Sequence, residues 1–169
     1  NDAPVEVEVG TGRGLFLFNA GLQHPETNFL GMEVNYKEGR RAAKRLLKQN
    51  ISNVRILGCD AKMALAGWIA AESVAAVHVY FPDPWWKRRH KKRRVFDELL
   101  VLEIQRILVS GGLLHAWSDV EEYFEVMSEL VATNSAFGPQ MTPEERSADH
   151  DMDYHTSFER KKRKLGLPI

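Results

Sequence analysis

Val5-Glu6-Val7-Glu8-Val9-Gly10-Thr11-Gly12-Arg13-Gly14 is the stretch that decides the fold. Its first five residues are a short valine-rich run, and glycines follow at alternate positions 10, 12 and 14. A run of this kind ending in a glycine-rich turn reads as a buried strand passing into a helix. Glycine permits positive φ and lets backbone approach a ligand closely. A dinucleotide fingerprint would read G-x-G-x-x-G, but here the third glycine comes one residue early. A phosphate-binding P-loop would need Gly-Lys-Ser/Thr, which this turn lacks. A plain strand–helix connection would use the same glycines, so the turn alone leaves its ligand open.

Working outward, Leu15 to Leu22 reads as a helix and Asn28 to Val34 as a second strand. Tyr36 to Gln49 has apolar residues at helical spacing among many cations, a surface helix. Val54 to Leu57 is a third strand, and Ala61 to Ala71 a helix. Val74 to Phe81 is a fourth, fully buried strand. Val95 to Leu108 is an amphipathic helix that Gly111-Gly112 should stop, followed by a strand from Leu113 to Trp117. Glu121 to Thr133 is helical, Gly138 to Asp153 a polar loop, and Tyr154 to Lys161 a late strand. Alternating strands and helices predict one α/β domain over residues 1–169, a mostly parallel sheet with helices on both faces.

The formal charge is zero, from 23 basic and 23 acidic residues, but it is segregated. Lys87 to Arg94 holds seven cations in eight positions, and Arg160 to Lys164 holds five more. That leaves eleven cations against 23 acids elsewhere, an acidic body with two basic patches. Such a pattern points to a local polyanion contact, although a charge run can also be plain solvated surface. No apolar stretch approaches the roughly 20 residues of a membrane helix, and the opening residues do not read as a signal peptide. With Cys59 as the one cysteine there is no disulfide framework, and a cytoplasmic protein is expected. The six histidines are scattered without paired ligand spacing, so no metal is expected.

In a parallel sheet of this kind the ligand sits at the carboxyl ends of the strands. Gly10 to Gly14, Glu33, Asp60, Asp83 and Asp119 all fall within a few residues of such an end. Glu33, 21 residues after Gly12, is placed to accept hydrogen bonds from two ribose hydroxyls. Asp60 is placed to accept from an exocyclic amine, and Glu8 to face a positively charged group. Each acid alone would serve equally as a helix N-cap or a solvated strand end. Three after successive strands favour a nucleoside-bearing cofactor.

Phe81-Pro82-Asp83-Pro84-Trp85-Trp86 closes the fourth strand. Each proline fixes its own φ and restricts the residue before it, so Asp83 is held stiffly. Trp85 and Trp86 offer flat faces on which a base can stack, or plugs for the core. The cations that follow are suited to phosphates. A carboxylate, aromatic faces and cations in one loop suit an enzyme that modifies a nucleobase.

With these motifs the sequence resembles the tRNA (guanine-N7-)-methyltransferases over nearly its whole length. The resemblance rests on Glu8 to Gly14, Gly31-Met32-Glu33-Val34, Phe81 to Arg94, Ser118-Asp119 and Thr156-Ser157-Phe158-Glu159. It implies a Rossmann-like class I methyltransferase fold, with the late strand near the C-terminus antiparallel. It implies S-adenosylmethionine as cofactor and S-adenosylhomocysteine as product, with no metal. Glu8, Gly10, Gly12, Gly14, Glu33, Asp60 and Asp83 would then line the cofactor site, Asp83 at the reaction centre as the catalytic group. Lys87 and Asp119 would contact the target nucleotide, and Thr156, Ser157, Phe158 and Glu159 would close its pocket. Arg89, His90, Lys91, Lys92, Arg93 and Arg94 would hold the partner, tRNA, at whose variable loop the family methylates N7 of a guanine. A monomer or homodimer with no membrane contact is expected.

Two departures stand out. The chain opens almost directly on the first strand, so the family's further N-terminal segment is expected to be absent. Trp86 and Trp117 are bulkier than the family pattern, which puts the pocket's shape in doubt. Two other readings share the cofactor half: a methyltransferase acting on protein or small molecules, and a non-enzymatic RNA-binding module. The basic run speaks against the first, and the full set of Glu8, Glu33, Asp60 and Asp83 against the second.

Overall fold

The computed structural model describes residues 2–85, 89, 93–134, 136–142 and 156–167. Five strands, β1 (Val5–Val9), β2 (Asn28–Met32), β3 (Val54–Leu57), β4 (Val74–Tyr80) and β5 (Leu108–Trp117), form one sheet in the order β3-β2-β1-β4-β5. Every pairing is parallel. The connections are α1 (Leu15–Gln23), α2 (Tyr36–Lys48), α3 (Ala61–Trp68) and α4 (Glu98–Ile107), with α5 (Glu121–Asn134) and α6 (Ser157–Lys164) after the last strand. The order reverses between β1 and β4, so a crevice opens where their two following loops part.

Alternation along the strands builds two cores. Val7, Val9, Val77 and Val79 pack with Leu65, Leu100, Ile104, Ile107 and Tyr123 from α3, α4 and α5. Phe29 and Val54 pack with Leu17, Ala20 and Leu46 from α1 and α2 on the other face. On α4 the buried residues Leu100, Val101, Ile104 and Ile107 recur at helical spacing, each worth about 1.5–3 kcal/mol of apolar burial. The polar partners of the strand valines line the α1 face. Glu8 pairs in register with His78 and His78 with His115, and His78 joins Glu6 at 2.8 Å and the Tyr80 hydroxyl at 2.9 Å. Phe16 of α1 lies over His78 and Tyr80.

Three expectations need correction. The late antiparallel strand does not form: Ser157–Lys164 is helical, and the sheet among the described residues is all parallel. Thr156 caps α6 by accepting from the Glu159 amide at 3.0 Å, and its four cations Lys161 to Lys164 lie in the last turn, where the helix dipole favours them. The helix expected from Val95 starts at Glu98, because the Asp97 carboxylate caps it through the Leu100 amide at 3.0 Å. The Gly111-Gly112 pair does not end that helix. It lies inside β5, where the register shifts from Val74↔Leu108 to Ala76↔Leu113 and Gly111 takes φ 78°.

Candidate active site

The turn after β1 is held by main chain on β2. The Gly10 and Thr11 amides donate to the Met32 carbonyl at 2.9 and 3.2 Å. Gly10, Gly12 and Gly14 all have positive φ, which an L side chain rarely adopts. At Gly31 a Cβ would lie 2.3 Å from Leu17 Cδ1 and 2.5 Å from Thr11 Cγ2, so the turn rests directly on bare backbone of β2.

Glu33 stands at the end of β2, 8% exposed. Its two carboxylate oxygens accept from the Gly12 and Asn35 amides at 2.7 Å each. A carboxylate has about four lone-pair sites, so acceptor capacity toward the cleft remains. Glu8 on β1 is 2% exposed, and its Oε2 has no hydrogen-bond partner among the described residues. Burial, and then the nearby Glu33 charge, push its pKa up to about 8. Asp60 is exposed and caps α3 through the Lys62 amide at 2.9 Å. Sequence alone offers that capping role as one alternative.

The loop after β4 is pinned at both ends. Phe81 and Trp85 adopt positive φ of 50° and 41°, a conformation costing non-glycine residues about 1–3 kcal/mol each and common at functional sites. The Phe81 amide donates to the Trp117 carbonyl at 2.8 Å, continuing the sheet. Arg94 Nε donates to the Pro84 carbonyl at 2.6 Å, and its guanidinium stands 4.9 Å over the Tyr123 ring. Burial pushes the Tyr123 hydroxyl up to about 12, with Arg94 opposing and Asp97 and Asp83 adding to the rise. Arg94 therefore braces the loop that carries Asp83. Asp83 is exposed at the mouth of the crevice, and Trp85 is half-buried with the Arg93 guanidinium 5.3 Å over its ring. Arg89 and Arg93 are exposed. Lys87, His90, Lys91 and Lys92 lie outside the described residues, as does Trp86.

α6 covers this loop from the far side. Phe158 packs on Phe81 with ring centroids 5.1 Å apart, and Lys162 lies 5.8 Å over the Phe158 ring. Lys162 Nζ also pairs with Asp119 at 2.8 Å. Glu159 is 3% exposed and accepts from Arg163 Nε at 3.1 Å. Ser157 opens the helix after its Thr156 cap. The structure thus brings Phe81, Asp119 and residues 156–159 together, and sets Glu8, Glu33 and Gly10 to Gly14 beside them across the β1–β4 switch.

Residues 2–169 match the family described as "Putative methyltransferase". The chain is 43% identical over 175 residues to a tRNA (guanine-N(7)-)-methyltransferase of Rhodopirellula baltica, covering 100% of this chain and 65% of that protein. It is 36% identical over 165 residues to one of Alcanivorax borkumensis, covering 98% of this chain and 69% of that protein. The chain belongs to the tRNA (guanine-N(7)-)-methyltransferase family. It spans about two thirds of the length of these curated relatives. In fold it is similar to a precorrin-6y C5,15-methyltransferase of Geobacter metallireducens, with a TM-score of 0.62 at 16% identity over 79% of this chain and 64% of that one. The fold is therefore Rossmann-like, as in other methyltransferases.

Two features are not evident from the sequence reading. Lys162 stands there only as part of a basic run, yet it pairs with Asp119. Thr156 and Glu159 stand there only as pocket residues, although Thr-x-x-Glu before a helix is a capping signature. That spacing is visible in the sequence and competes with the Tyr154, Thr156, Phe158 alternation that suggests a strand.

Proposed function

We propose that this protein transfers the methyl group of S-adenosylmethionine to N7 of a guanine in the variable loop of tRNA. The carrying observation is the similarity of nearly the whole chain to tRNA (guanine-N(7)-)-methyltransferases. The reading is supported by the Pro82-Asp83-Pro84 loop following β4, the sheet neighbour of β1, which carries the buried Glu8.

The buried acids fit the cofactor. Glu33 retains acceptor capacity for ribose hydroxyls, with Asp60 beyond it at the end of β3 for the adenine amine. Glu8, buried, unpartnered at Oε2 among the described residues and with its pKa pushed up to about 8, would lose its proton to face the cationic methionine end when that end is bound. Gly10, Gly12 and Gly14 keep side chains out of the space between them. When bound, S-adenosylmethionine would supply an electrophilic methyl group, with S-adenosylhomocysteine as the leaving product and 7-methylguanosine as the modified nucleoside.

Guanine N7 attacks with a neutral lone pair and has no proton to lose, so a strong general base is not required. The protein's contribution is placement and electrostatics. Asp83 accepts hydrogen bonds from the guanine edge or offsets the positive charge that grows on the purine. Lys87 and Asp119 fix the nucleotide, while Thr156, Ser157, Phe158 and Glu159 close the pocket. Arg89, His90, Lys91, Lys92 and Arg93 hold the RNA backbone, with Arg94 serving the loop as well. The setting is cytoplasmic, and the working form is a monomer or homodimer. No helix among the described residues is long and apolar enough to cross a membrane.

The test is mass spectrometry of tRNA nucleosides after incubation with S-adenosylmethionine. 7-Methylguanosine mapped to the variable loop is the expected product. Methyl transfer to protein extract but not to tRNA would overturn the assignment.

A further inference from the structure

Asp60 follows β3 and the Asp83 loop follows β4, with two strands between them in the sheet. At the usual strand spacing those two ends stand roughly 14 Å apart. A chain of polar contacts crosses the gap on the α3–α4 side, and Lys62 is its middle. The Asp60 carboxylate accepts from the Lys62 amide at 2.9 Å. The Lys62 ammonium pairs with Asp97 at 2.8 Å and donates to the Arg94 carbonyl at 3.4 Å. Arg94 Nε in turn donates at 2.6 Å to the carbonyl of Pro84, the residue after Asp83.

The two helices have other ties. α3 and α4 share a core through Ala61, Leu65, Leu100, Val101 and Ile104. At the far end of α3, Arg106 donates to the Leu65 and Ile69 carbonyls at 2.6 and 3.0 Å. Asp97 uses its other oxygen to cap α4 through the Leu100 amide. Lys62 itself stands in the first turn of α3, where the helix dipole disfavours a cation. Helix stability therefore gives no reason for a lysine here. Its side chain is 25% exposed and that of Asp97 38%, so water screens the pair only in part.

The brace on the Asp83 loop is only as firm as the chain that carries Arg94. Arg94 reaches Pro84 with its side chain, and Lys62 holds Arg94 by its main chain. We propose that Lys62 is a positioning residue for methyl transfer: by holding Arg94 and Asp97 it keeps the Asp83 loop in register with the cofactor side of the crevice. It acts through Arg94 rather than on a reacting atom. The proposal rests on the reading of this protein as a tRNA methyltransferase with Asp83 at its reaction centre.

The test uses the full chain, a tRNA transcript, and the variants Lys62→Met, Lys62→Arg and Asp97→Asn. Methionine keeps most of the stem and removes the charge, while asparagine keeps an acceptor for the α4 cap. Three things are measured: the single-turnover methylation rate at saturating enzyme, the Kd values for S-adenosylmethionine and tRNA, and amide exchange at Phe81, Asp83 and Trp85. Lys62→Met should slow methyl transfer roughly tenfold or more, the scale of a small misplacement at a reacting centre. Both Kd values should stay unchanged, and exchange in the loop should quicken. Lys62→Arg should recover most of the rate, because a cation remains within reach of Asp97. Asp97→Asn should also slow the reaction, and joining it to Lys62→Met should add little, since both remove one interaction. Should Lys62→Met fail to fold, Asp97→Asn carries the test.

A folded Lys62→Met with the wild-type rate overturns the proposal, as does a slower rate with unaltered loop exchange. A rate loss matched by a weaker Kd for S-adenosylmethionine would make Lys62 part of the cofactor site instead. One matched by a weaker Kd for tRNA would make it an RNA contact, and either result ends the positioning role. Wild-type protein that forms no 7-methylguanosine sinks the proposed activity. Faster loop exchange in Lys62→Met would then leave the tether standing, and unchanged exchange would remove both.

Discussion

On the β1–β3 side of the crevice, Glu33 takes two backbone amides at 2.7 Å and Glu8 is 2% exposed. On the β4–β5 side, Asp83 is exposed, and Asp119 is paired with a lysine from α6 at 2.8 Å. The first side is fixed by main chain and close packing, which leaves its acids few choices of partner. The second is set by side chains from distant parts of the chain, and a charged substrate can compete for those pairs. A small cofactor suits a preformed cradle, while a macromolecular substrate suits pairings that can be exchanged.

The sharpest way to break this contrast is Asp83→Ala. Methylation should fall roughly 1,000-fold, the scale of removing one electrostatic stabiliser from a reaction centre, while calorimetry still registers cofactor binding. Near-normal turnover would remove Asp83 from the reaction.

Glu8→Gln probes the buried side through pH. A carboxyl raised from 4.5 to about 8 on folding contributes stability that is fully present below pH 4.5 and lost as pH rises through about 8. Glutamine does not titrate. The variant should therefore gain on wild type as pH rises between these values, by on the order of 5 kcal/mol, yet bind cofactor more weakly. Parallel stability curves across that range would mean that Glu8 ionises freely.

Glu33→Ala leaves the Gly12 and Asn35 amides without their acceptor. Urea unfolding should show a loss of about 2 kcal/mol, together with weakened cofactor binding. A loss confined to binding would show that the turn holds its shape without Glu33. The smallest effect is expected on the substrate side. Thr156→Ala removes the α6 cap at about 1 kcal/mol, measurable as faster amide exchange in Ser157–Lys164 with cofactor affinity unchanged. Equal protection in that helix would indicate that Phe158 on Phe81 and Lys162 on Asp119 anchor it alone.

The cofactor side is largely legible in the sequence. Val5–Val9 and Val54–Leu57 fall at the expected bounds, and the glycines and Glu33 sit where strand ends place them. These features are local, since strand, turn and acid follow one another within a few residues. The other side depends on residues far apart in sequence. Nothing local tells that Lys162 meets Asp119, or that Arg94 turns back to Pro84 while Arg89 and Arg93 are exposed. The C-terminal difference is of another kind. There the Tyr154, Thr156, Phe158 alternation favours a strand, and the Thr156–Glu159 cap with the terminal cations overrides it.

Phe81 and Trp85 bracket two prolines with left-handed backbone, and Arg94 ties the middle of that corner to its base. Such a corner behaves as a fixed anvil rather than a jaw. A base that is to reach Asp83 must then be brought to it, so the deformation falls on the nucleic acid. For an RNA substrate, the looseness of the loop that carries the guanine would set the pace of engagement more than any closing movement of the protein.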